Sequence, residues 1–258
     1  MRLIHRSALM RRFILWSIPL AVIAGVALAL WQSHWWLLLI LAPVELWLWA
    51  SLRINCTWWG PLMSEFPTRK REALLTFDLA PDVNETPVIL DLLAEERATA
   101  LFFVTGVQAM KHPELVREIV SRGHAIGLHG MSYRPADFWW WPRDRVRSEV
   151  ETSLRVMQQT LPGYQVQWFR PPGGRRGPWL EPVLAEHGLQ QVTWSATDGG
   201  PTVRSFESTV IAMRRDINQG GIIALHHGLR DPNGQPVIPD LVRELLMWLR
   251  GQGYQFGA

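Results

Sequence analysis

The chain has 258 residues, 48% of them hydrophobic and 19% charged, which is too apolar for a disordered chain. A single cysteine, Cys56, excludes a disulfide scaffold and a cysteine-ligated zinc cluster. The net charge of +3 is concentrated at one end: residues 1–71 hold eight bases against Glu45 and Glu65, while residues 72–258 hold 18 bases and 21 acids, so the larger part lacks the positive face that nucleic acid needs.

In chain order, residues 1–12 form a basic tail with Arg2, Arg6, Arg11 and Arg12. Residues 13–53 are expected to be a transmembrane anchor of one or two helices. The first run, 13–31, carries no charge and nearly matches the thickness of the hydrocarbon core. The second, 35–52, contains Pro43 and Glu45, so it either completes a helical hairpin or lies in the interface, because a buried carboxylate is costly in lipid. Trp16, Trp31, Trp35, Trp36, Trp47, Trp49, Trp58 and Trp59 crowd this region, as interfacial tryptophans do. A cleaved signal peptide fits less well, since no small-residue cleavage site closes the first run. The linker 32–34 has no Lys or Arg, whereas both outer flanks are basic. If both runs span, the C-terminal domain is cytoplasmic; if only the first spans, it faces outward. Either way the expected location is the cell (inner) membrane.

Residues 54–71 read as a linker. From Glu72 onward strands and helices alternate: strands at 72–78, 99–104, 124–128, 166–169, 189–194 and 221–225, with helices at 86–97, 113–123, 143–161, 178–188, 205–218 and 239–251. Alternation of this kind predicts an α/β domain over 72–258 with a parallel sheet. About six units over that length are short for a closed eightfold barrel, so a distorted, incomplete (β/α) barrel is expected.

The ends of these strands carry the chemistry. Asp78 ends the first, His129 follows the third and Arg170 ends the fourth. Trp194 ends the fifth with Asp198 just beyond, and His226 ends the sixth. In a parallel β/α domain these ends share one face, where active sites lie. Neither a GxSxG elbow nor an HExxH motif is present. Gly173–Gly177 reads either as a solvated turn or as an anion loop. The Trp139–Trp141 run could stack on sugar, touch membrane or cover the barrel mouth.

Five ordered segments resemble the polysaccharide deacetylase (NodB-homology, carbohydrate esterase 4) family: TFDLAPD at Thr76–Asp82, GHAIGLHGMSY at Gly123–Tyr133, FRPPGG at Phe169–Gly174, WSATD at Trp194–Asp198 and IIALH at Ile222–His226. The resemblance implies metal-assisted hydrolysis of an N-acetyl group on a sugar. It makes Asp78 the general base, Arg170 its orienting cation and His226 the general acid. Trp194, Asp198 and Tyr133 would contact substrate, Trp194 lining the acetyl pocket. It also implies a zinc-type divalent metal held by an Asp-His-His set. Of that set only His129 is present; Leu79 and Tyr133 occupy the other two positions, so the site is incomplete. A catalytic zinc takes three protein ligands. Asp82, His124 and His227 are the nearest replacements in sequence.

Two functions follow. One is a membrane-anchored hydrolase acting on carbon–nitrogen bonds, removing an N-acetyl group from an envelope or lipid-linked sugar. The other is a catalytically impaired relative that binds glycan or acts as a scaffold.

Overall fold

A computed structural model describes residues 24–25, 27–28, 36–200, 205–231 and 234–256. The basic tail and most of the first apolar run lie outside them. The chain divides into two units, residues 1–53 and 54–258. In the first, helix α1 covers Trp36–Leu52 with Pro43 inside it, and the Arg53 guanidinium lies 4.8 Å from the Trp49 ring centre. Seventeen residues give about 25 Å of helix, short of a hydrocarbon core of about 30 Å. Among the described residues no helix is long and apolar enough to cross a membrane.

Among the described residues, the second unit is built on eight strands: β1 Glu72–Ala80, β2 Ala100–Val104, β3 Ala125–Leu128, β4 Trp168–Phe169, β5 Gln190–Gln191, β6 Ala196–Thr197, β7 Gly221–His226 and β8 Gln255–Phe256. Their pairings are all parallel, in the order β5-β4-β3-β2-β1-β7-β6, with β8 beside the start of β1. The helices between them are α2 Glu85–Glu95, α3 Gly106–Lys111, α4 Pro113–Ser121, α5 Arg143–Thr160, α6 Leu180–Glu186, α7 Phe206–Asp216 and α8 Ile238–Gly251.

The two edge strands, β5 and β6, are joined by only residues 192–195. A flat sheet of seven strands would be about 29 Å wide at the usual spacing. The five steps from Gln191 to Ala196 reach at most about 18 Å. The sheet therefore has to curl, and the result is the incomplete barrel expected from the alternation.

Period-two alternation sorts the strand residues between two environments. Leu75 and Phe77 of β1, Phe102 and Val104 of β2, and Ile223 and Leu225 of β7 join the large core under the helices. Phe77 and Phe102 stack there with ring centres 4.8 Å apart. Leu74, Leu101, Phe103, Val192 and Ile222 form a second, smaller cluster. Continuing the inner face of β1 from Leu74 brings Thr76 and then Asp78 to its C-terminal end.

Two expectations change. Residues 54–71 are part of the barrel unit rather than a linker. Met63 bridges Val192 and Glu65 bridges Gly221, giving the sheet edge extra backbone partners. Gly220 packs so closely on this segment that a Cβ there would lie 2.1 Å from the Phe66 carbonyl oxygen. The expected strand 189–194 is also shorter, because Val192 to Ser195 leave β5 to cross to the other edge.

Candidate active site

Arg170 follows β4 and is fully buried, so its guanidinium must find every partner inside the protein. It donates to Asp78 Oδ1 at 2.6 Å, to Thr76 Oγ1 at 2.7 Å and to the Thr193 carbonyl at 2.8 Å, with a longer contact to the Val192 carbonyl at 3.4 Å. Its plane lies 4.0 Å from the Phe103 ring centre. Burial alone would raise the Asp78 pKa. The charge of Arg170, helped by His129 and His226, outweighs it and holds the carboxyl below its ordinary value. Asp78 is therefore a carboxylate at neutral pH.

His226 ends β7. Its Nδ1 lies 2.7 Å from Asp198 Oδ1, and its backbone N–H donates to Asp198 Oδ2 at 2.7 Å. Its Nε2 lies 3.5 Å from Asp78 Oδ2. Burial would depress the imidazole pKa, but the Asp198 carboxylate, with Asp78 behind it, raises it above the ordinary value. His129 closes the group from β3: its Nδ1 lies 2.8 Å from the Arg170 carbonyl and its Nε2 3.9 Å from Asp78 Oδ2.

The structure thus gathers Asp78, His129, Arg170, His226 and Asp198 at the C-terminal strand ends. Trp194 stands edge-on to His226 with ring centres 6.3 Å apart, and the Tyr133 ring lies 5.2 Å from that of His129. Asp198, expected among the substrate-binding residues, engages both carboxylate oxygens within the protein, on His226 and on the Gly200 N–H. That makes it an orienting group for His226 rather than a free contact. Sequence reasoning missed Thr76 and Asn55. Thr76 has a signal, being two residues before Asp78 and so on the same strand face. Asn55, which donates to the Trp194 carbonyl and accepts from Thr193 Oγ1, has none at such separation.

Neither reading of Gly173–Gly177 holds at Arg176. Its side chain is buried and bonds Gln191 Oε1 at 3.0 Å and the Cys56 carbonyl, so it is an internal strut. Trp141 is buried against Phe138, while Trp140 is 65% exposed.

The residues present do not fit a family-type metal. Leu79 offers no donor. Among the described residues no three His, Cys, Asp or Glu side chains are placed to hold an ion. The nearest replacements are occupied or distant. His227 turns away to Thr86 Oγ1 at 3.1 Å, and burial pushes its pKa down to about 4. Asp82 caps the start of α2 through the Asn84 and Glu85 N–H groups. His124 precedes β3, at the end of the strand opposite His129.

Comparison with known proteins agrees with this geometry. The polysaccharide deacetylase sequence model matches residues 66–192. A peptidoglycan-N-acetylglucosamine deacetylase of Bacillus cereus is 29% identical over 202 residues, covering 76% of this chain and 90% of the relative. A chitooligosaccharide deacetylase of Sinorhizobium fredii is 34% identical over 157 residues, 60% of this chain and 71% of the relative. The crystal structure of a peptidoglycan N-acetylglucosamine deacetylase superposes with a TM-score of 0.66 at 27% identity, covering 76% of this chain and 89% of that one. With the ordered motifs, the curled parallel sheet and these matches, the chain belongs to the polysaccharide deacetylase family.

Proposed function

We propose that the protein is an N-deacetylase of the cell membrane, hydrolysing the acetamide of an envelope or lipid-linked sugar. One observation carries the reading: the buried Asp78–Arg170 pair faces a His226–Asp198 pair across 3.5 Å at the barrel mouth. A carboxylate kept ionised can take a proton from water, and an imidazolium held by a carboxylate can give one to a leaving amine. Trp194, beside His226, is suited to the acetyl methyl. The uncharged run 13–31 and the tryptophan-rich segment after it support anchoring at a bilayer.

The competing reading is a glycan-binding or scaffold protein without chemistry, favoured by Leu79 and Tyr133 at the two ligand positions. Acetate release decides between them. The purified full chain is incubated with chitooligosaccharides, peptidoglycan fragments and lipid-linked N-acetyl sugars, with Asp78→Asn as control. Deacetylation of at least one substrate that Asp78→Asn abolishes supports the hydrolase. Saturable binding of the same sugars without acetate release supports the alternative. For the membrane, a reporter fused after Ala258 separates the topologies: activity only outside the cytoplasm rules out a hairpin.

A further inference from the structure

We propose that Asp78 and His129 hold the hydrolytic water directly, one hydrogen bond to each, where the family resemblance leads one to expect a metal ion. The proposal rests on the hydrolase reading above.

The argument starts from the His129 tautomer. The Arg170 carbonyl can only accept, so at 2.8 Å the Nδ1 of His129 must carry a hydrogen. Nothing in the protein accepts a second hydrogen on Nε2, since Asp78 Oδ2 at 3.9 Å is too far for a hydrogen bond. With its one hydrogen on Nδ1, the neutral ring presents a lone pair at Nε2. Asp78 Oδ2 is likewise an acceptor, because Arg170 takes only Oδ1.

Two acceptors thus face each other inside the protein, and neither atom has a hydrogen-bonding partner there. Both residues are almost completely buried, so bulk solvent does not satisfy them. The bridge they need supplies two hydrogens. A water oxygen about 2.8 Å from each atom would subtend about 90° between them, near the angle between its own O–H bonds. His226 Nε2, 3.5 Å from Asp78 Oδ2, is the donor on a third side, which gives the water three polar partners.

The step balances without a metal. The water passes the hydrogen it shares with Asp78 to that carboxylate as its oxygen bonds the acetyl carbon. The tetrahedral adduct collapses, the C–N bond breaks, and His226 gives its Nε2 proton to the leaving nitrogen. Acetic acid and the free amine depart. The proton on Asp78 then returns to His226. His129 contributes by accepting the water's other hydrogen, which fixes the direction of the attacking lone pair.

The test uses the full chain purified with a chelator. A high-resolution crystal structure should contain one water within hydrogen-bond distance of both atoms, with no anomalous metal peak. His129→Gln retains an acceptor oxygen and should keep the water. His129→Phe retains the shape only, and should lose the water and about 100-fold in kcat with KM little changed. Nitrogen-15 NMR of the His129 ring should show hydrogen on Nδ1 alone. A metal peak, no bridging water, or a His129→Phe variant with unreduced kcat would each overturn the proposal. A bridging water in a chain that hydrolyses no N-acetyl sugar would sink the hydrolase reading and leave the water site standing.

Discussion

Replacing Arg170 with Met tests whether the site is held together by charge. The substitution keeps an apolar stem over the Phe103 ring but removes the hydrogen bonds to Asp78, Thr76 and the Thr193 carbonyl. Breaking a buried ion pair by deleting one partner costs about 3–5 kcal/mol, since the other charge stays buried. For a unit the size of residues 54–258, each kcal/mol shifts Tm by about 2–4 °C. Arg170→Met should therefore lower Tm by about 6–20 °C. Adding Asp78→Leu removes the stranded carboxylate, so the double variant should recover part of that loss.

The pH dependence gives an independent check. Asp78 has its pKa depressed in the folded protein, so its stabilisation is present above the unfolded value of about 3.9 and fades as pH falls through the folded one. In Arg170→Met, burial is no longer offset by the guanidinium, so the carboxyl pKa moves up. Its ionised form then destabilises, and acid relieves it. The Tm gap between wild type and Arg170→Met should therefore be widest near neutrality, begin to narrow as the pH falls through the variant's raised carboxyl pKa, and go on narrowing towards the lowered wild-type value. Thermal melts of the purified chain from pH 3 to 8 measure it. A gap independent of pH, or a double variant that loses the sum of the two single losses, would refute the charge argument.

Two further outcomes follow. In Asp198→Asn the His226 imidazole loses the carboxylate that raises its pKa. The protonated form then persists over a narrower range, so the alkaline limb of the kcat–pH profile should move to lower pH, and an unmoved limb would remove His226 as the acid. The pair Leu79→Asp with Tyr133→His should bind zinc with roughly one-to-one stoichiometry by calorimetry where wild type binds little. Stoichiometric zinc in wild type would show that other residues complete a set.

The strand ends were legible because chemistry and periodicity coincide there. Asp78, His129, Arg170 and His226 each end or follow a hydrophobic run, and parallel alternation puts all such ends on one face. The curl of the sheet was legible only as a shortage of units. What enforces it is the four-residue span between β5 and β6, hidden because 189–194 reads as one β-prone run. The docked segment 54–71 was missed for a related reason. Its strand-like pairings are single bridges at Met63 and Glu65, too short to leave a two-residue period. Helix α3 escaped as well: six residues opened by a Thr105 cap that bonds the Gln108 N–H give little periodicity to read.

The change at position 79 carries a lesson that residue matching does not. Leu79 has φ of 63°, in the left-handed region that Gly, Asn and Asp tolerate better than Leu. It sits where the register between β1 and β2 shifts, from Asp78 opposite Phe103 to Ala80 opposite Val104. A bulge sets one residue apart from the alternation of its neighbours. Asp78 still pairs with His226 on β7 and continues the face of Thr76, so its bond to Arg170 is fixed by the regular part of the strand. The residue in the bulge can lose its donor without disturbing that pair. The two positions that the family resemblance assigns to metal ligation, in the bulge and at 133, are thus separable in this fold from the buried charges anchored by β1, β4 and β7.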